Sequence, residues 1–194
     1  MKTPARRRVG LLLASLCLPL FAQAAETQPT HEFSLDNGLK VIVREDHRAP
    51  VVVSQLWYRI GSSYETPGLT GLSHALEHMM FKGSRKLGPG EASRVLRDLG
   101  AEENAFTTDD YTAYYQVLAR DRLPVALEME ADRMAHLSLP ADQFKSEIEV
   151  IKEERRLRTD DNPNALAFER FKAAAYPASG YHTPTIGWMA DLRS

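Results

Sequence analysis

The hydrophobic period of this chain changes once along its length, and that change limits the folds open to it. Up to Leu118 the apolar stretches are mostly strand-like. Phe33 and Leu35, then Leu39, Val41 and Val43, alternate with polar residues on either side of Asp36-Asn37-Gly38, which predicts a hairpin over 33–44. Residues 51–60 are rich in β-branched and aromatic types and predict a buried strand. Residues 61–71 carry Gly, Ser and Pro and predict a loop, followed by a helix over 71–82. Gly88-Pro89-Gly90 predicts a turn, and 91–99 a second helix ended by Gly100. Residues 104–118, rich in Thr, Tyr and Phe, predict one long strand. From Arg122 the period becomes helical, with helices expected over 122–137, from Pro140 and Asp142 to about Arg158, and over 164–176. Strands and helices in separate runs predict an α+β fold, a mostly antiparallel sheet packed with helices. Residues 186–193 look like the middle of an element with no cap and no closing strand, so the domain is expected to be truncated at its C-terminus.

The first 24 residues belong to a different class. Lys2, Arg6, Arg7 and Arg8 precede an apolar run over 9–22, and Ala22-Gln23-Ala24 has the small residues of a cleavage site. This is the pattern of a secretory signal peptide, which predicts a periplasmic or secreted protein. The apolar run is shorter than the roughly 20 residues of a membrane span, so an uncleaved anchor is the lesser alternative. A lipid anchor at Cys17 is disfavoured by bulky Leu16 before it. A linker over 25–30 then leads into one domain over 31–194. Removing the leader removes the single cysteine, so no disulfide is available and the core must hold the fold. It also leaves 20 basic against 26 acidic residues, a balance of −6. That charge argues against nucleic-acid partners, and no membrane partner is expected after cleavage.

The chemistry concentrates at His74-Ala75-Leu76-Glu77-His78. On a helix of about 100° per residue, His74 and His78 lie about 40° apart and Glu77 about 60° to the other side of His74. Leu72, Ala75, Leu76, Met79 and Met80 would form an apolar back. Two imidazoles at i and i+4 suit a tetrahedral zinc ion, and a carboxylate beside them suits a general base acting on a zinc-activated water. The alternative is a solvated polar helix face. A catalytic zinc also needs a third protein ligand. On the later helix, Glu147 and Glu154 fall on the apolar stripe of Phe144, Ile148 and Ile151, whereas Glu149 and Glu153 fall opposite. A carboxylate on a buried stripe is costly unless paired or bound to metal, which favours Glu154 over Glu153 as the third ligand. Glu147 stays open as a ligand or as a group orienting a histidine, and both carboxylates could instead pair with Arg155 or Arg158. His31, His47, His136 and His182 lack ligand spacing and read as surface or structural. Tyr111, Tyr114 and Tyr115 read as sheet packing.

His74-x-x-Glu77-His78 followed by Glu147-x6-Glu154 resembles the pitrilysin, insulysin and mitochondrial processing peptidase family of inverted-motif zinc peptidases. Other segments share the resemblance: Asp36-Asn37-Gly38-Leu39 with Val41, Gly61-Ser62, Asn104-Ala105-Phe106-Thr107 with Asp110, Tyr111 and Thr112, Glu153-Glu154-Arg155-Arg156, and Asp161-Asn162-Pro163. It spans about residues 31–194 and implies the N-terminal domain of such a peptidase. It implies one zinc per chain held by His74, His78 and Glu154, with Glu77 as general base and Glu147 supporting the site. Asn104 and Ala105 would lie on an edge strand that pairs with an extended peptide substrate. The family also uses a second related domain, absent from these residues, so a homologous domain or chain is expected to complete the chamber. The rival readings are a non-catalytic homologous subunit and a protein with structural zinc.

Overall fold

The computed structural model describes residues 29–193, so the leader over 1–24 and most of the linker lie outside the described residues. The chain divides between Arg48 and Ala49 into two compact units. In the first, β1 (Thr30–Ser34) and β2 (Lys40–Arg44) form the expected antiparallel hairpin, with Phe33 opposite Val41 and His31 opposite Val43. The strand takes in Thr30, the last residue of the expected linker. Gly38 has φ +87°, which a side chain would resist, and its amide donates to the Leu35 carbonyl to close the turn.

The second unit is built on a three-stranded antiparallel sheet. Its strands are β3 (Val51–Tyr58), β4 (Glu102–Thr107) and β5 (Thr112–Ala119), in the order β3-β5-β4. The helices are α1 (Leu72–Met79), α2 (Glu91–Asp98), α3 (Leu123–His136), α4 (Ala141–Arg155) and α5 (Pro163–Ala175). Helices α1, α2 and α3 pack on the sheet, and α1 packs on α4. Central β5 buries Tyr114, Gln116 and Leu118, the face that the helices cover. Ala75, Ile151 and Leu192 form a cluster where α1 meets α4. This arrangement is the α+β fold expected from the segregated periods. Among the described residues, no helix is long and apolar enough to cross a membrane.

Five expectations are corrected. First, β3 is not buried: Val51, Val53 and Trp57 are about half exposed, because β3 is an edge strand with helices on one face only. Second, residues 104–118 form two strands. Thr108 turns the chain there: its hydroxyl accepts from the Asp110 and Tyr111 amides, and its own amide donates to the Tyr111 carbonyl at 2.8 Å. Third, α4 ends at Arg155, and residues 156–160 open into a π-helical turn closed by Asp161 N–H donating to the Arg156 carbonyl at 2.8 Å. Asn162 then caps α5, accepting from the amides of Asn164 and Ala165. Fourth, residues 186–190 are turns and irregular backbone that lead into a 3-10 segment at Asp191–Arg193, with Leu192 buried in the core. Fifth, the apolar back of α1 is only partly covered: Ala75, Met79 and Met80 are buried, but Leu72 and Leu76 are not.

Three segments of the second unit cross at very short range beside the sheet. Ser62 and Ser63 donate backbone N–H groups to the carbonyls of Thr108 and Asp109. On the other side, a Cβ added at Gly180 would lie 1.9 Å from the Ser63 carbonyl oxygen. Backbone packed against backbone has no flexible side chain to yield. Gly180→Ala is therefore expected to destabilise the protein by about 1–3 kcal/mol, read as a lower midpoint of urea unfolding. An unchanged midpoint would mean that the two segments do not approach this closely.

Candidate metal centre

Helix α1 starts at Gly71 with its free amides held by one side chain. Glu65 accepts from Gly71 N–H and Ser73 N–H, both at 2.7 Å, which places a negative charge at the positive end of the helix. One turn in, the rings of His74 and His78 lie 4.6 Å apart, centre to centre, as the i,i+4 spacing requires. Helix α4 crosses beneath them and presents Glu147 and Glu154. Glu149 and Glu153 point to solvent, as the helical phase predicted.

The ligand atoms converge. Glu154 Oε2 lies 3.4 Å from His78 Nε2 and 3.8 Å from His74 Nε2, and the three ligand atoms all lie within 4.8 Å of one another. Ligands at roughly 2.0–2.1 Å around a tetrahedral ion stand about 3.4 Å apart, so the set fits zinc with little contraction. Burial, with the His78 and Arg158 charges nearby, pushes the His74 imidazole down to about 4. It is therefore neutral at physiological pH, the state a metal requires. Its Nδ1 is buried without a hydrogen-bond partner among the described residues.

Glu147, left open by the sequence, does not join this group. Its Oε1 sits 2.8 Å from His78 Nδ1, and its Oε2 sits 2.5 Å from Lys82 Nζ. A carboxylate at Nδ1 fixes the tautomer and turns Nε2 toward Glu154. Burial raises the pKa of Glu147, but the hydrogen bonds from Lys82 and His78 outweigh it and hold the group below the ordinary carboxylate value. Glu77, the third polar residue of the motif, is placed by the sheet. Thr107 on β4 donates its hydroxyl to Glu77 Oε2. Burial raises the Glu77 pKa against the opposing effects of Thr107 and His78.

His74, Glu77, His78, Thr107 and Glu154 line a cleft of about 660 Å³, together with Asn104 and Ala105 of edge strand β4. Asn104 Oδ1 accepts from the Ala105 amide at 2.8 Å, so a side chain occupies a main-chain donor that faces away from β5. The cleft also holds residues that the sequence did not place in it. Phe168 and Lys172 come from α5, Arg158 from the π-helical turn, and His182 from the following 3-10 turn. His182, expected to be surface or structural, lines the cleft while its Nδ1 contacts the Ser179 carbonyl at 2.6 Å. Arg158, named from the sequence as one possible carboxylate partner, does pair with Glu154, and strand alternation could have flagged Thr107, two after Ala105. No local signal places α5 or His182 here. His31 and His47 keep the ordinary reading beside partly exposed Glu45, and so does His136 beside buried Asp132.

The profile of the insulinase family (peptidase family M16) matches residues 40–187. The chain is 36% identical to a protein named zinc protease PqqE from Helicobacter pylori, over 97% of this chain and 43% of that one. It is 32% identical to human mitochondrial cytochrome b-c1 complex subunit 1, over all of this chain and 38% of that one. The crystal structure of a protease from Helicobacter pylori superposes with a TM-score of 0.84 at 34% identity, covering 87% of this chain and 41% of that one. The chain thus spans about two fifths of the length of the relatives it matches.

The start of α1 is tied to residues 188–191. Thr70 donates its hydroxyl to Asp191 Oδ2 at 2.5 Å, and that hydroxyl accepts from Trp188 N–H at 2.9 Å. The Thr70 hydroxyl holds the Asp191 pKa below the ordinary value. A carboxylate whose pKa falls on folding adds stability that is complete above its unfolded pKa and is lost as pH falls through the folded one. Asp191→Asn should therefore lower the unfolding midpoint at pH 7, and the difference from wild type should close below about pH 4. A difference that persists unchanged at pH 2.5 would overturn this account.

Proposed function

The chain belongs to the insulinase family (peptidase family M16), and on that footing we propose that it is the metal-binding part of a periplasmic or secreted zinc endopeptidase acting on peptides or unfolded segments. The observation that carries this reading is the meeting of His74, His78 and Glu154 beside a half-buried Glu77, inside a cleft bordered by a strand edge. Export rests on the leader pattern at residues 1–24.

His74 Nε2, His78 Nε2 and Glu154 Oε2 would hold one zinc ion, leaving a fourth position for water or substrate. Bound there, zinc supplies Lewis acidity that polarises the scissile carbonyl and lowers the pKa of a water to about 7. Glu77 is the general base. Thr107 occupies its Oε2, which leaves Oε1 to take the proton from the attacking water and pass it to the leaving amine. Burial supports this role by raising the Glu77 pKa toward the working pH. Glu147 keeps the His78 ring in the required tautomer.

Along β4, the main chain at Asn104 and Ala105 pairs with an extended peptide. For that to happen, the Asn104 side chain yields the Ala105 amide to a substrate carbonyl. Main-chain pairing gives affinity with little demand on side chains, which suits unfolded substrates. A second homologous domain or chain closes the cleft from the other side, in keeping with the two fifths of its relatives that this chain spans.

Two variants of the full-length protein test the assignment. Glu77→Gln should keep stoichiometric zinc by elemental analysis and lose at least about 100-fold in cleavage of a quenched fluorescent peptide. His74→Ala should lose the zinc itself. Zinc lost from Glu77→Gln would mean that Glu77 is a ligand, and zinc kept by His74→Ala would remove the centre altogether.

A further inference from the structure

Three arginines follow one another at the end of α4, and each takes a different carboxylate. Buried Arg155 holds Glu169 through two hydrogen bonds of 2.8 Å. Arg156 reaches back to Glu153 at 2.7 Å. Arg158, in the π-helical turn, forms an ion pair with Glu154, its Nη1 2.8 Å from Oε1. Glu154 therefore has its two oxygens committed in different directions: Oε1 to a guanidinium, and Oε2 to the space between two imidazoles.

As a contribution to stability this contact is weak. The Arg158 side chain is 76% exposed, and an ion pair with one such partner is worth little in water. Its effect falls instead on the geometry of the carboxylate. An arginine fork readily takes both oxygens of a carboxylate. Here its nearest approach is to Oε1, while Oε2 is the oxygen nearest both histidines.

We propose that Arg158 is a positioning residue for Glu154, restricting it to coordinate the metal through Oε2 alone. The proposal rests on the zinc-centre reading above. With Oε1 engaged, the three protein ligands leave a coordination position open for the reaction. With Oε1 released, the same carboxylate can turn to grip the ion with both oxygens and fill that position. Arg158 stands four residues after Glu154, the spacing at which helical side chains meet, and both residues line the cleft.

Cobalt(II) is the probe, because its visible absorption is strong in a four-coordinate site and falls as the coordination number rises. The full-length protein, freed of metal and reloaded with one equivalent of cobalt(II), is compared with Arg158→Met and Arg158→Lys. Wild type should show the strong visible bands. Arg158→Met should lose much of that absorption per bound cobalt, and Arg158→Lys, which keeps one charged donor for Oε1, should recover most of it. The metal-free variants should unfold at the wild-type midpoint, since the exposed pair adds little to stability. Equal absorption in wild type and Arg158→Met would overturn the proposal while leaving the zinc centre standing. Failure of wild type to bind cobalt at all would instead defeat the reading on which it rests.

Discussion

Helices α1 and α4 meet through Ala75 and Ile151, and the geometry of the cleft follows from how close that meeting is. Ala75 offers only a methyl group, Ile151 is completely buried against it, and Leu192 fills the remaining space. A larger residue between the two histidines would push the helices apart and carry Glu154 away from the imidazoles. Ala75 is therefore as much a part of the site as the residues on either side of it. The apolar contact sets the distance, and the polar residues use it.

The polar residues are expensive to place there, and the fold offsets that cost with specific partners. Glu147 is buried, but Lys82 and His78 take both of its oxygens. Glu77 is half-buried, and β4 brings the Thr107 hydroxyl to it. Glu154 is shared between Arg158 and the two imidazoles. Only His74 Nδ1 is left without a partner among the site's buried ring nitrogens in the described residues. An unpaired carboxylate in any of these positions would cost several kcal/mol and would drive the group to protonate instead.

The walls of the cleft come from elements far apart in sequence. β4 supplies one side, and α5 with residues 182–186 supplies another. These walls are joined by a small polar cluster: Asp109 accepts from Ser62 and Lys172, and Asp110 accepts from Ser63 and Tyr181. The turn that splits the expected long strand into β4 and β5 thus has a second role, since its two aspartates anchor α5 and the 3-10 turn that follows. Thr70 and Asp191 do the same at the start of α1.

Much of the centre was legible in the linear order of residues, because the relevant physics is local. Helical rotation places His74 and His78 on one face, and it puts Glu147 and Glu154 on the apolar stripe while turning Glu149 and Glu153 to water. Alternation around Asp36-Asn37-Gly38 determines the first hairpin, and the change of period near residue 120 determines the α+β class. Local rules could not say which of the two carboxylates would reach the ligand atoms and which would stand behind a ring, since that depends on how α4 crosses α1. They missed the half-exposure of β3, the exposure of Leu72 and Leu76, and the turn at 108–111, because burial depends on what each face meets. They missed the roles of Thr107 and His182 for the same reason, and offered Arg158 only as one of two possible carboxylate partners. Periodicity decides where a side chain points along its own element. Only the packing of one element against another decides what it finds there.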